Sequence, residues 1–167
     1  MAYTRLCLLK VNSKEAVMKG TCCVLLRLLL LGVCLAHLTI GVGVNAWPEF
    51  PKMLAPWYGA AQVDWSPQFV YILRPIGAYM LVMGMLAAVA IGDPRKHSAI
   101  VYGLALLLVF RGMQRIVFGG EIEQAFGIEM VRNLINAGFF AGLGVLLFVL
   151  RLGAGSTAEA QPSEKEP

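Results

Sequence analysis

Apolar and polar positions divide the chain into four long apolar runs separated by shorter polar stretches. The runs cover residues 22–46, 68–91, 98–118 and 131–152. At roughly 1.5 Å per residue, helices of that length cross the ~30 Å hydrocarbon layer of a bilayer. Any other backbone conformation would leave N–H and C=O groups unpaired in lipid, so each run is predicted to be an α-helix. The expected fold is all-α: one four-helix transmembrane bundle over residues 21–152, with an N-terminal tail (1–20) and a C-terminal tail (153–167). The last fifteen residues lack the apolar side chains to pack and are expected to be disordered.

Lipid supplies no hydrophobic drive for helix association, so small residues that allow close approach carry more weight than in water. Gly84, Ala88 and Gly92 recur every four residues on the second span. Ala99 and Gly103 do so on the third, Gly138 and Gly142 on the fourth. These rows are expected to be seams inside the bundle, with a homo-oligomer interface along one of them as the alternative. Arg74 with Gly84, and Arg132 with Gly142, share a spacing of ten residues and suggest a duplicated helix pair.

Composition agrees with this division. Of 167 residues, 58% are hydrophobic and 14% charged, against about 25% charged in soluble domains. A cytosolic enzyme, a secreted disulfide domain and a disordered chain are excluded, and a membrane protein remains. The basic residues then set orientation. Arg5, Lys10, Lys14 and Lys19 precede the first span, Arg95 and Lys96 follow the second, and Arg151 and Lys165 follow the fourth. The first outer connection has Lys52 and the third has no basic residue. Both termini and the 92–97 loop are therefore expected in the cytoplasm. Val44-Asn45-Ala46 resembles a signal-peptide cleavage site, and Met18 is an alternative start. The run before it is longer than a signal core and contains Arg27, so a retained helix is expected. Trp47, Trp57, Tyr58 and Trp65, among four prolines, suggest that the first loop lies on the outer membrane surface; a binding lid is the less favoured alternative.

Candidate chemistry is sparse. Cys7, Cys22, Cys23 and Cys34 form no C-x-x-C and lie outside the outer loops, which disfavours a thiol–disulfide oxidoreductase. Cys, His and carboxylates show no zinc-ligand spacing, so no metal is expected. His37, in mid-span, is a weak candidate for a haem ligand, and His97 at the membrane edge does not match its depth. The strongest constellation is basic. Arg74, Arg111, Arg115 and Arg132 fall in the outer half of the spans, with Gln114, Asn133 and Asn136 at the same level. Intramembrane arginines face the bundle interior and pair. Pairing with Glu49, Asp64, Glu121, Glu123 and Glu129, or snorkelling to headgroups, would make the layer structural, and this is preferred. The alternative leaves Arg111, Arg115, Arg74, Arg132 and Asn136 as ligand-binding residues for an anionic or carbonyl-bearing molecule such as a quinone or a lipid. If Pro75 opens its helix, Arg74 is interfacial and needs no partner. Because it is deeper, Arg111 is expected to matter more than Arg115 for folding or affinity. Arg27, at the cytoplasmic end, is expected to snorkel.

Leu73-Arg74-Pro75-Ile76-Gly77-Ala78, Asp93-Pro94-Arg95-Lys96-His97 and Arg111-Gly112-Met113-Gln114-Arg115, in a four-span chain, resemble a branch of the DoxX-like small membrane proteins. The resemblance covers about residues 27–152. It implies a bacterial inner-membrane protein, some of whose relatives are accessory subunits of quinone-linked redox complexes, and it carries over no catalytic residue. The Arg- and Asn-rich second helix of the glutathione-using four-helix family is absent. The expected function is that of an integral membrane protein without a catalytic site, an accessory or assembly subunit with a membrane-protein partner and no nucleic acid. A quinone- or lipid-binding redox subunit is the alternative, and transport is disfavoured because no central acidic residue is present.

Overall fold

The computed structural model describes residues 2–155, with side chains from residue 19 onward. Helix α1 (Ala2–Ala46) leads into a short α2 (Phe50–Leu54) and a 3-10 turn (Ala55–Tyr58). Then come α3 (Pro67–Gly92), α4 (Ser98–Val117), a short α5 (Gly119–Phe126) and α6 (Met130–Gly153). No strand occurs among the described residues. Four segments are long and apolar enough to span a membrane: Lys19–Ala46, Pro67–Gly92, Ser98–Val117 and Met130–Gly153. They match the four predicted runs to within three residues at each end. Residues 2–20, expected as a tail, continue α1. Of the expected C-terminal tail, residues 156–167 lie outside the described residues.

The four spans pack in ring order, α1 against α3, α4 against α6, with α1 meeting α6 and α3 meeting α4 more lightly. Large apolar side chains face outward on every span, among them Leu35, Val42, Tyr79, Leu106, Ile135 and Val149. In water such a surface would be a large association patch; a bilayer is the solvent that suits it. The protein is a multi-pass membrane protein.

Two tight seams hold the pairs. On the α1–α3 seam, a Cβ at Gly41 would come within 2.8 Å of the Gly77 carbonyl, and one at Gly84 within 3.1 Å of the Leu38 backbone N. On the α4–α6 seam, a Cβ at Gly112 would meet the Ala137 carbonyl at 2.7 Å, and one at Gly144 the Ala105 carbonyl at 2.6 Å. The expected seams are corrected accordingly. Gly84 packs, but Gly92, Gly103, Gly138 and Gly142 each have open space where a Cβ would stand, and Ala88 and Ala99 are exposed. On α6 the buried row is Asn133, Ala137, Gly144 and Leu147, rotated away from the Gly138–Gly142 row. The shared Arg–Gly spacing does not place its two glycines alike, because Gly84 packs and Gly142 does not.

The dry core occupies the half of the bundle that carries the Asp93 turn. Leu26, Leu30, Val33, Ala87, Val101, Leu104, Leu108 and Leu147 meet there. The turn is built by Asp93, whose Oδ1 accepts from the backbone N–H of Arg95 (3.0 Å) and Lys96 (3.1 Å). Arg27 donates to the Gly92 carbonyl at 3.0 Å, so it ties the end of α3 to α1 as well as reaching the surface. Arg151 is 6% exposed and donates to the carbonyls of Gly155 (2.9 Å) and Arg95 (3.3 Å), joining the end of α6 to the same turn.

The Lys96 backbone N–H holds the Asp93 carboxyl below the ordinary carboxylate range; desolvation opposes it less strongly, and the Arg95 N–H adds a smaller lowering effect. A depressed folded-state pKa stabilises the fold above the unfolded value and is lost as pH falls through the folded one. Acid titration of stability should therefore show a small loss beginning below about pH 4. Asp93→Asn should flatten that limb, and an unchanged limb would assign it to another group.

Candidate functional site

Away from the core, at the Trp47 end, the two helix pairs leave space between them. Between them lie two cavities of about 550 Å³ each. One lies between α3 and α4, the other between α1 and α6, and Ile40, Leu54, Tyr58, Met80 and Arg111 line both. They are two lobes of one apolar space with Arg111 at the junction. The 47–66 segment roofs it: Leu54, Ala55, Tyr58, Val63 and Trp65 line the first lobe, and Leu54, Trp57 and Tyr58 the second. The loop expected at the membrane surface therefore also closes the space between the spans. Trp57 remains 79% exposed, as an interfacial ring would be, but the loop as a whole covers the space between the spans.

The roof is fixed by backbone chemistry. Gly59 takes φ 86°, a conformation that favours glycine, and a Cβ there would also meet the Arg132 side chain at 2.7 Å. Arg132 donates to the Trp57 carbonyl at 3.0 Å and Asn136 to the Tyr58 carbonyl at 3.1 Å, so α6 holds the 3-10 turn. The Phe126 carbonyl accepts from both Ala61 (3.0 Å) and Gln62 (3.1 Å), which joins the roof to α5.

The four candidate arginines therefore separate. Arg74 lies on the exposed side of α3 and lines neither lobe; Pro75 is inside a helix that begins at Pro67 behind the Ser66 cap, so Arg74 sits in the third turn rather than at the opening. Arg132 holds the roof. Arg115 lines the first lobe, and its Nη1 donates to Asn133 Oδ1 at 2.8 Å while Asn133 Nδ2 donates back to the Arg115 carbonyl at 2.6 Å. Arg111 lines both lobes with its guanidinium 4.5 Å from the centroid of the Phe140 ring. It has no hydrogen-bond partner among the described residues, and none of Arg74, Arg111, Arg115 and Arg132 has a carboxylate in ion-pair range there. The expected pairing with loop carboxylates is not what holds this layer: Glu49 pairs with Lys52 at 2.9 Å instead.

His37 lines the second lobe, and its Nδ1 lies 2.8 Å from the Val33 carbonyl. Cys22, Cys23 and Cys34 are free thiols. No group of three or more His, Cys, Asp and Glu stands close enough to hold a metal ion among the described residues. Phe140 puts an aromatic face against Arg111, and Tyr58 of the first loop does so against Arg115; Phe140 has no signature in the sequence, because an aromatic residue in an apolar run carries no signal of its own. Comparison of the chain with family models, with curated proteins and with solved structures finds no match.

Proposed function

We propose that this membrane protein binds a bilayer-soluble amphiphile in the two-lobed cavity, with an acceptor on its head group against Arg111 and its apolar part along the walls. The observation that carries this is the state of Arg111. Arg115, Arg132 and Arg151 each donate to a named oxygen, whereas Arg111, inside an apolar cavity, has an aromatic face and no acceptor among the described residues. An intramembrane arginine is costly and is kept where it meets a counter-group. A carbonyl or an anionic oxygen of a ligand supplies one, and a quinone and a lipid both bring it attached to the apolar bulk that the lobes accommodate. The Lys and Arg bias of the chain argues for a cavity in the leaflet away from the cytoplasm. The likeness to the DoxX-like proteins is compatible with this: Gly77 of its first stretch packs in a seam, its second is the Asp93 turn, and its third carries Arg111 and Arg115. Among the described residues the exposed apolar side chains are spread over all four spans, as a lipid-facing surface would have them.

The test uses the full chain in phosphatidylcholine nanodiscs. Trp57 and Trp65 line the second and first lobes and report by fluorescence. Decylubiquinone and brominated phosphatidic acid, each a quencher, separate a quinone from a lipid source. Arg111→Gln should weaken the bound probe about tenfold, the worth of one charge-assisted hydrogen bond, while Arg74→Gln leaves it unchanged. Equal quenching curves for wild type and Arg111→Gln with both probes would sink the proposal.

A further inference from the structure

The geometry points to His37 as the residue that selects the head group: the cavity takes a neutral, single-chain amphiphile whose head carries a hydroxyl beside a carbonyl, in preference to an anionic head. This rests on the amphiphile-binding proposal above and narrows it. A backbone carbonyl only accepts, so the contact with Val33 places a proton on His37 Nδ1. In the neutral ring Nε2 is then a bare acceptor. It has no partner among the described residues, and its ring shares the second lobe with Arg111. Asn136 lines the same lobe; its Nδ2 is committed to the Tyr58 carbonyl, which leaves the Oδ1 as a further acceptor. The lobe thus offers donors from Arg111 and acceptors from His37 Nε2 and Asn136 Oδ1. A head that both accepts and donates satisfies both, whereas a carboxylate or phosphate would turn oxygen lone pairs toward Nε2 and Oδ1.

Depth favours the same choice. Arg111 stands six residues before the end of α4, and His37 nine before the end of α1, roughly 9 and 13 Å inside the spans. A neutral head reaches that level at much lower desolvation cost than an anion. The Arg111 cation already has the Phe140 ring face as a stabilising partner. An apolar chain in the second lobe also has a path onward. Leu28 and Leu29 belong both to the second lobe and to a shallow groove between α1 and α6 that runs past Leu25, Leu146 and Leu150 toward the Asp93 end.

Native mass spectrometry of the full chain, released from detergent micelles, measures this with three probes of equal chain length. Monolauroylglycerol carries hydroxyls and a carbonyl, methyl laurate the carbonyl alone, and laurate the anion. Wild type should hold monolauroylglycerol about tenfold more tightly than either of the others, the worth of one hydrogen bond. His37→Phe should bring monolauroylglycerol down to the methyl laurate level, and His37→Gln, which keeps an acceptor, should restore part of the difference. Equal wild-type affinity for monolauroylglycerol and methyl laurate, or tighter laurate, overturns the role of His37 without recourse to any variant. If Arg111→Gln still weakens all three probes, the wider proposal stands in that case. Adducts indifferent to both Arg111→Gln and His37→Phe overturn the two together.

Discussion

Replacing Gly144 by Val is expected to cost about 3 kcal/mol of bundle stability, at the upper end of what overpacking takes from a filled interior. At Gly144 a Cβ would stand 2.6 Å from the Ala105 carbonyl and 3.0 Å from the Val109 backbone N. Both are backbone atoms of α4, which cannot swing aside as a side-chain tip can. The two helices must therefore separate, and the separation is felt at Gly112, where the same seam already brings the Ala137 carbonyl within 2.7 Å of a Cβ position. Because association in lipid depends on such close packing, the loss is not recovered by burying the new methyl groups. Gly142→Val is the matched control. It lies two residues away, has nothing near its Cβ position, and replaces glycine with a better helix former, so its effect should stay within about 0.5 kcal/mol. Unfolding by graded SDS in mixed micelles, followed by circular dichroism, distinguishes the two. Comparable losses for Gly142→Val and Gly144→Val would mean that α6 is rotated relative to α4.

That contrast also marks where the sequence stops being informative. The existence and length of the four spans are legible because lipid forces every uninterrupted apolar run of about 20 residues into a helix. Rotation about each helix axis is not. In a soluble bundle the polar face identifies the outside, but here lipid-facing and core-facing positions are both apolar. Leu26 and Leu30 are buried while Leu25, Leu28 and Leu31 are exposed, and nothing in a run of leucines separates them. The four-residue recurrence of Gly138 and Gly142 is a real pattern on a face that points to lipid. The arginines are affected in the same way. Their depth is legible in the sequence and brings Arg111 and Arg115 to the cavity, but depth has no direction, so it does not separate them from Arg74 on the far side of α3. The role of Arg132 was hidden for a different reason: its acceptor is the backbone carbonyl of Trp57, and a carbonyl has no signature in a sequence.

Depth alone also ranks Arg111 above Arg115 in importance, whereas the hydrogen bonds divide the two roles between them. Arg115 should dominate stability and Arg111 affinity, and the partner of Arg115 gives the sharper measurement. Asn133 is 0% exposed, yet both ends of its amide are hydrogen-bonded: Oδ1 accepts from the Arg115 guanidinium, and Nδ2 donates to the Arg115 carbonyl in the last turn of α4. That carbonyl is one of the terminal acceptors that a helix cannot satisfy internally. Asn133→Leu, close in volume, removes both bonds and leaves a cation and a carbonyl facing hydrocarbon. The expected loss is about 2 to 3 kcal/mol, in the range for hydrogen bonds to a charged group. Arg115→Met alone should cost about 1 to 2 kcal/mol, since it strands the Asn133 amide oxygen but not a charge. Asn133→Leu combined with Arg115→Met removes the stranded charge along with its acceptor, so the double variant should be more stable than the sum of the single losses by about 1 kcal/mol. Strict additivity in the same SDS titration would show that the two side chains act independently and that Arg115 finds its acceptor elsewhere.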